Sequence, residues 1–181
     1  GEIHIGNYVG AIRNWVQLVN RYDCIYCVVD YHAITIDYEA EAMQQKILDT
    51  ATILIASGLT PDRCKVFVQS HVIEHPELTW TFNCITPLGE LERMTQFKEK
   101  GRQHRQNINV GLLGYPVLQA ADILIYKAGY VPVGEDQIQH VEFSREIARK
   151  FNARFGDTFP EPKVLLSTAP RILGTDGKTK M

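Results

Sequence analysis

The feature that most constrains the fold is a strand–helix–strand pattern in the first half of the chain. Residues 24–29 form an apolar run typical of a buried strand, and residues 65–69 form a second one. Between them, residues 40–55 carry apolar side chains at helical spacing, and Gly58 follows as a C-terminal cap. Two strands joined by such a helix run parallel, with a right-handed crossover. The pattern predicts an α/β fold in which helices flank a parallel sheet.

The rest of the chain continues the alternation of helices and strands. The further predicted elements are helices at 77–84, at 88–97, from 110 past Pro116 and from 135 to about 154, and a short strand at 131–133. Residues 98–105 are polar and mostly basic, so they form either a surface loop or a contact with phosphate or a partner. With 181 residues, 45% of them hydrophobic, the chain can fill one core, which predicts a single domain over residues 1–181.

Charge and hydropathy exclude some classes of protein. A net charge of −2 provides no global basic field, so a nucleic-acid partner would need a local patch or a part outside this chain. No apolar run approaches the roughly 20 residues that span a bilayer, and no signal-peptide pattern is present. We therefore expect a soluble protein of the cytoplasm, with no membrane contact.

Two of the four cysteines form a C-x-x-C motif, and all four fit a reducing compartment. Cys24 and Cys27 lie within the first predicted strand, where residues three apart point to opposite faces. That geometry is poor for a shared metal or a redox dithiol. The motif is therefore predicted to serve core packing.

The first eight residues read as a loop that leads His4 and two glycines into a helix. Apolar residues recur at helical spacing beyond Asn7, which predicts Gly6 or Asn7 as the helix cap. A helix N-terminus attracts anions, Gly6 leaves room for a flat ring, and His4 can donate to a phosphate oxygen. The loop indicates phosphate binding, although an ordinary turn before a helix has the same composition.

A carboxylate inside an apolar helical run is the second informative feature. Asp122 lies about two turns from Tyr115, on the same helix face. A buried, unpaired carboxylate is costly, so either a protein donor or a ligand N–H must satisfy Asp122. Residues 30–33 and 134–137 bring further polar groups to the ends of strands, where parallel sheets bind ligands. Together with the first loop, these residues outline a nucleotide site at one sheet edge.

In this order the motifs resemble those of the bacterial-type tryptophanyl-tRNA synthetases, which are class I aminoacyl-tRNA synthetases. The resemblance covers essentially all 181 residues. The matching stretches are residues 4–7 (the "HIGH" signature), 30–35 (D-x-H-A-I-T), 89–98 (a helix and loop near the dimer interface), 120–124 (the specificity helix), 131–137 (the nucleotide loop) and 180–181 (the start of "KMSKS"). It implies a Rossmann-like catalytic domain whose first strand and C-terminal helical anticodon-binding domain lie outside this chain.

The resemblance also implies a reaction and the residues that perform it. Tryptophan would be activated by ATP, with Mg²⁺, to tryptophanyl-adenylate and then transferred to tRNA(Trp) by a homodimer. The ATP-binding residues would be Gly6, Asn7, Gly134, Glu135, Asp136, Ile172, Lys180 and Met181, with His4 and Lys180 catalytic. Asp122 would accept the indole N–H, Tyr115 and Gln137 would hold the polar end of the amino acid, and His32, Val131 and Val133 would shape the pocket. No metal-binding side chain is implied.

Three other functions stay open at this stage. A tyrosyl-tRNA synthetase shares the fold and chemistry, and Gln119, at a position that is often Met in the tryptophan enzymes, keeps that alternative open. Residues 71–75 match the H-x-x-E-H zinc-peptidase pattern, but Pro76 disfavours the helical geometry at His75 that such a site requires. The third is a synthetase-like binding protein without aminoacylation activity.

Overall fold

The computed structural model describes residues 3–95, 97 and 108–166. It contains helices and four short strands in alternation. In chain order they are α1 (the consecutive segments Ile5–Asn7, Tyr8–Ile12 and Arg13–Leu18, the middle one π-helical), β1 (Ile25–Val28), α2 (Asp30–Ala33), α3 (Ala40–Ala56), β2 (Lys65–Val68), a 3₁₀ turn (Gln69–His71), α4 (Glu74–Asn83), α5 (Leu88–Glu92), α6 (Val110–Leu124), β3 (Tyr130–Val133), a 3₁₀ turn (Glu135–Gln137), α7 (Ile138–Phe155) and β4 (Lys163–Leu166).

The strands form two parallel pairs. β1 pairs with β2 in the register Ile25 to Lys65, and β3 pairs with β4 in the register Tyr130 to Lys163. The predicted parallel pairing of the first two strands is confirmed, with α3 as the connection between them. In the described residues the two pairs are separate sheets. β4 was not predicted from the sequence.

Two clusters of buried side chains form the core. One packs α1 and α3 against β1 and β2, with Leu54 and Leu59 almost fully buried. The other packs α4, α6 and α7 together around Phe82, Val117 and Leu124, which have no exposed surface. The sequence favours this arrangement because α6 is apolar along most of its length, and such a helix is stable only when it is surrounded.

The predicted helix from 110 past Pro116 is confirmed as α6. Other element boundaries differ from the predictions. α4 begins at Glu74, before the predicted position 77, and Pro76 lies in its first turn, where a missing N–H leaves no helical hydrogen bond unmade. The predicted helix at 88–97 is interrupted after Glu92. Gly58 adopts a φ of 108° just beyond α3, as a C-terminal glycine does.

Among the described residues, each helix is too short or too polar to cross a bilayer.

We expect Leu124→Ala to lower the free energy of unfolding by about 2–5 kcal/mol, because it opens a cavity in the second cluster. Leu48→Ala is the matched control, since Leu48 is also helical but 54% exposed. Its effect should stay within about 0.5 kcal/mol. Urea denaturation measures both values, and equal losses would contradict the assignment of the core.

Candidate functional site

Asp122 lies on α6 at the meeting point of several elements, and 14% of its side chain is exposed. Its Oδ1 accepts hydrogen bonds from Gln69 Nε2 at 2.7 Å and His75 Nδ1 at 2.6 Å. Its Oδ2 lies 2.8 Å from Nε2 of His32. Protein donors therefore satisfy the carboxylate. A carboxylate oxygen has two acceptor sites, so Oδ2, with one donor among the described residues, retains capacity for another.

The charge state of Asp122 follows from two opposing effects. Burial raises the pKa of its carboxyl, but the hydrogen bonds from His32, His75 and Gln69 outweigh burial and hold the pKa below its ordinary value. Asp122 is therefore ionised at neutral pH. An ionised carboxylate accepts hydrogen bonds and donates none, so the site selects N–H or O–H groups.

The residues just beyond β1 and β2 are joined by hydrogen bonds. The backbone N–H of Tyr31 donates to Gln69 Oε1 at 3.1 Å, and the N–H of Ser70 donates to Asp30 Oδ1 at 3.0 Å. These bonds fix the amide of Gln69 so that its NH₂ group faces Asp122. The predicted meeting of polar groups at the carboxyl ends of parallel strands is confirmed for these two strands.

His32 connects Asp122 with Tyr115. It lies in the single turn of α2, where Thr35 Oγ1 donates to the His32 carbonyl at 2.8 Å. The edge of its ring approaches Tyr115, with centroids 6.1 Å apart, so Tyr115 and Asp122 do share a face of α6. The Tyr115 hydroxyl is hydrogen-bonded to the buried His140 at 2.9 Å. Its predicted role at the polar end of an amino acid stays a prediction.

A cavity of about 390 Å³ lies between β1 and β3. Asp122, Tyr126 and Val131 line it together with Cys27 and Phe67. Asp122 and Val131 therefore face the same space. Tyr115 instead lines a second cavity of about 650 Å³, between α2, α4 and α6.

The first loop is organised by its histidine. His4 is the N-cap of α1: its Nδ1 accepts from the Gly6 N–H at 3.1 Å, and its own N–H donates to Asn7 Oδ1 at 3.0 Å. The prediction that Gly6 or Asn7 caps the helix is therefore wrong, because the imidazole does so. With Nδ1 accepting, the ring carries its proton on Nε2. That N–H, on an exposed side chain, remains available to an anion.

The loop after β3 places Gly134 at the N-cap of a 3₁₀ turn, followed by the exposed Glu135 and Asp136. A Cβ at Gly134 would lie 3.0 Å from Asp136 Oδ1, so a larger residue there would displace the Asp136 side chain. Gln137 Nε2 donates to Asp136 Oδ2 at 3.1 Å. Val133 is half-buried and ends β3 opposite Leu166. Ile172, Lys180, Met181 and the basic residues 98–105 lie outside the described residues.

The H-x-x-E-H pattern does not form a zinc site. The prediction that Pro76 keeps His75 out of a helix is wrong, since His75 lies inside α4. Both of its ring nitrogens are engaged, Nδ1 by Asp122 and Nε2 by Tyr126 at 2.8 Å. His71 belongs to the preceding 3₁₀ turn. Over residues 3–95, 97 and 108–166, no three His, Cys, Asp or Glu side chains cluster to hold a metal.

The C-x-x-C motif behaves as packing residues do. Cys24 and Cys27 are half-buried thiols. Burial, and then the charges of Asp122 and Asp30, raise the pKa of Cys27, so its thiol stays protonated. A protonated thiol is neither a good metal ligand nor a redox nucleophile.

Three residues of this site were missed from the sequence: Gln69, His75 and Tyr126. Gln69 directly follows a predicted strand, the same signal that identified residues 30–33. The roles of His75 and Tyr126 depend on contacts between distant parts of the chain, which no local pattern indicates.

The whole chain, residues 1–181, matches the family model of the class I tRNA synthetases for tryptophan and tyrosine. The chain belongs to this family. It is 39% identical to the tryptophanyl-tRNA synthetase of Campylobacter jejuni solved with ADP and tryptophan, at a TM-score of 0.93 over 100% of this chain and 56% of that one. It is 36% identical to the enzyme of Mycoplasma pneumoniae, at a TM-score of 0.84 over 90% of this chain and 49% of that one.

A tyrosyl-tRNA synthetase of Archaeoglobus fulgidus, solved with tyrosine, shares the fold at 23% identity and a TM-score of 0.79, over 99% of this chain and 54% of that one. The chain thus spans about half the length of these synthetases. The predicted fold, the Rossmann-like catalytic domain of a class I synthetase, is confirmed.

The lowered pKa of Asp122 predicts how stability depends on pH. The carboxyl binds its proton more weakly in the folded than in the unfolded chain, so its contribution is present above the ordinary pKa of 3.8 and is lost as pH falls through the lower folded-state value. The difference in free energy of unfolding between wild type and Asp122→Asn should shrink between about pH 4.5 and pH 3.

Urea titrations at several pH values measure this difference. Asp23→Asn is the control, because the side chain of Asp23 is 82% exposed and pairs only with the exposed Lys65. Its effect should be small throughout. A difference for Asp122→Asn that is constant over this range would contradict the lowered pKa.

Proposed function

We propose that this chain is the catalytic part of a tryptophan–tRNA ligase, which forms tryptophanyl-adenylate from tryptophan and ATP and passes it to tRNA(Trp). The observation that carries the proposal is the ionised Asp122 carboxylate, held by three donors, with Oδ2 able to accept one more. An indole N–H is a donor on an otherwise apolar ring. The mostly apolar surroundings of Asp122 suit such a ligand.

The proposed reaction needs no covalent protein nucleophile. A carboxylate oxygen of tryptophan attacks the α-phosphorus of ATP, and the bond from that phosphorus to the pyrophosphate oxygen breaks. In the second step a terminal ribose hydroxyl of the tRNA attacks the aminoacyl carbonyl and releases AMP. The chain's contribution is to align two anions and to stabilise the departing charge. The Nε2–H of His4, at the start of α1, is suited to a phosphate oxygen.

ATP binding is supported by the C. jejuni relative, which was solved with ADP and tryptophan. Within this chain we assign Gly6 and Asn7 to one side of the nucleotide and Gly134, Glu135 and Asp136 to the other. Ile172, Lys180 and Met181 complete the assignment as predictions. Mg²⁺ would enter as the MgATP substrate, since it binds mainly through phosphates and water rather than a protein cage.

Tryptophan is favoured over tyrosine by the identities of the relatives. The two relatives at 36–39% identity are tryptophanyl enzymes, whereas the tyrosyl enzyme, at 23%, supports the fold alone. The Asp122 acceptor accommodates a ring N–H or a phenol O–H, so it does not by itself separate the two amino acids. We assign Asp122 to the indole N–H, His32, Val131 and Val133 to the pocket, and Tyr115 and Gln137 to the polar end of the substrate. The effect of Gln119 stays open.

We also propose that the protein acts as a homodimer in the cytoplasm. Exposed apolar residues line the cavity of about 650 Å³, with Trp80 72%, Leu88 59% and Val110 83% exposed. Such a concentration of exposed apolar surface is typical of a protein interface. The first strand and the anticodon-binding domain outside this chain remain predictions.

Amino-acid-dependent exchange of pyrophosphate into ATP, run on the intact protein with each amino acid, tests the proposal. Tryptophan should support exchange and tyrosine should not. Asp122→Ala should reduce kcat/KM for tryptophan by about two orders of magnitude, since a hydrogen bond to a charged group contributes up to about 3 kcal/mol. Asp49→Ala, on the exposed face of α3 and lining neither cavity, is the matched control and should exchange normally. Absence of exchange with every amino acid would favour a synthetase-like binding protein.

His4→Asn separates capping from catalysis. Asparagine is a good N-cap, so the free energy of unfolding should change by less than about 0.5 kcal/mol. The variant loses the imidazole Nε2–H, and kcat for exchange should fall by about 100-fold if that donor stabilises the departing pyrophosphate. Steady-state kinetics and urea denaturation provide the two values. An unchanged kcat would remove His4 from catalysis.

A further inference from the structure

A chain of buried hydrogen bonds continues behind Asp122, away from its Oδ2. His75 has no exposed surface, and its ring lies between two partners: Nδ1 is 2.6 Å from Asp122 Oδ1, and Nε2 is 2.8 Å from the Tyr126 hydroxyl. Asp122 and Tyr126 flank the end of α6, whereas His75 comes from the first turn of α4. The three side chains therefore connect two helices through one imidazole.

The direction of the protons in this chain follows from the acceptor at its end. Asp122 is ionised and can only accept, so Nδ1 of His75 carries a proton. In a neutral imidazole Nε2 is then an acceptor, and the Tyr126 hydroxyl donates to it. Burial, and then the nearby negative charges of Asp122 and Glu74, raise the pKa of Tyr126, so the phenol keeps the proton that it donates.

We propose that His75 and Tyr126 are positioning residues that set the selectivity for a ring N–H, a role that rests on the proposed function of Asp122. Asp122 sets the tautomer of His75, the Tyr126 hydroxyl holds the imidazole in place through Nε2, and His75 fixes the carboxylate. Oδ1 is occupied by His75 and Gln69, so Oδ2 is the oxygen presented to the substrate. His75 has no exposed surface, so it acts on the substrate only through Asp122. Tyr126, which also lines the cavity, acts on Asp122 through the bond from its hydroxyl to His75.

A merely structural role would predict a different result. Loss of packing would weaken binding of every ligand of similar shape, whereas a misplaced acceptor weakens only ligands that donate to it. The benzothiophene analogue of tryptophan, in which sulfur replaces the ring N–H, has nearly the same shape and no donor. The ratio of kcat/KM for tryptophan to that for this analogue therefore reports the acceptor alone. A site built around such a bond discriminates by up to about 10⁴-fold.

The test is pyrophosphate exchange by the intact protein with both substrates. Tyr126→Phe should raise KM for tryptophan by about three- to tenfold, leave kcat within about twofold and leave KM for the analogue unchanged, because it removes one hydrogen bond and little volume. Tyr26→Phe is the matched control. The Tyr26 hydroxyl donates to the Trp15 carbonyl at 3.0 Å, and Tyr26 is only 8% exposed. It should leave the ratio unchanged.

Variants of His75 provide an independent arm. His75→Leu removes the donor to Asp122 and should lower the ratio by more than tenfold, about the worth of a charge-assisted bond. His75→Asn should restore much of the ratio, because an asparagine amide can occupy the position of Nδ1 and donate to Oδ1. A ratio restored by Asn but not by Leu is a signature that packing does not produce.

The outcomes separate the two proposals. A wild-type protein that does not activate tryptophan overturns the proposed function and this inference with it. A wild-type protein that activates tryptophan, with an unchanged ratio in Tyr126→Phe, overturns only the inference. Equal losses for tryptophan and the analogue, in either Tyr126→Phe or His75→Leu, would also overturn it.

Discussion

The structure depends on burying one negative charge at the crossing of three parts of the chain. Asp122 lies on an almost wholly apolar helix, where an unpaired carboxylate would be strongly destabilising. It is accommodated because His32, Gln69 and His75 converge on it, one after β1, one after β2 and one from the start of α4. The same bonds that make the charge tolerable also keep it ionised. Stability and ligand selection thus have a common physical origin in this chain.

The three donors to Asp122 differ in how deeply they are buried. Gln69 and His75 share Oδ1 and are fully buried, with Gln69 held in turn by the backbone of Tyr31. His32, on Oδ2, is partly exposed and also touches Tyr115. Oδ1 is therefore held by donors in the core, whereas Oδ2, held by a partly exposed donor, is the oxygen that a substrate would meet. Such an arrangement suits a selective acceptor, because orientation is fixed before any ligand arrives.

The parallel strands, the long helices and the need of Asp122 for a partner were predictable from the sequence, because each has a local sequence pattern. A carboxylate among apolar residues indicates that it has a hydrogen-bonding partner. The sequence does not indicate which residue is the partner, since His32, Gln69 and His75 lie 90, 53 and 47 residues away. The effect of Pro76 was predicted wrongly because proline breaks helix interiors but fits the first turn, where it lies in α4. His4 was read only as a phosphate ligand because imidazoles seldom cap helices.

The long separations around Asp122 have a consequence for how the molecule assembles. Enclosing α6 with its carboxylate unpaired would be destabilising, so the second core cluster is most stable when the residues after β1 and β2 have reached the helix. A chain with a closed interior is therefore also a chain in which the proposed acceptor, Asp122, is already oriented. Misassembled chains would be left with α6 open to water, where quality-control proteases act on exposed apolar segments.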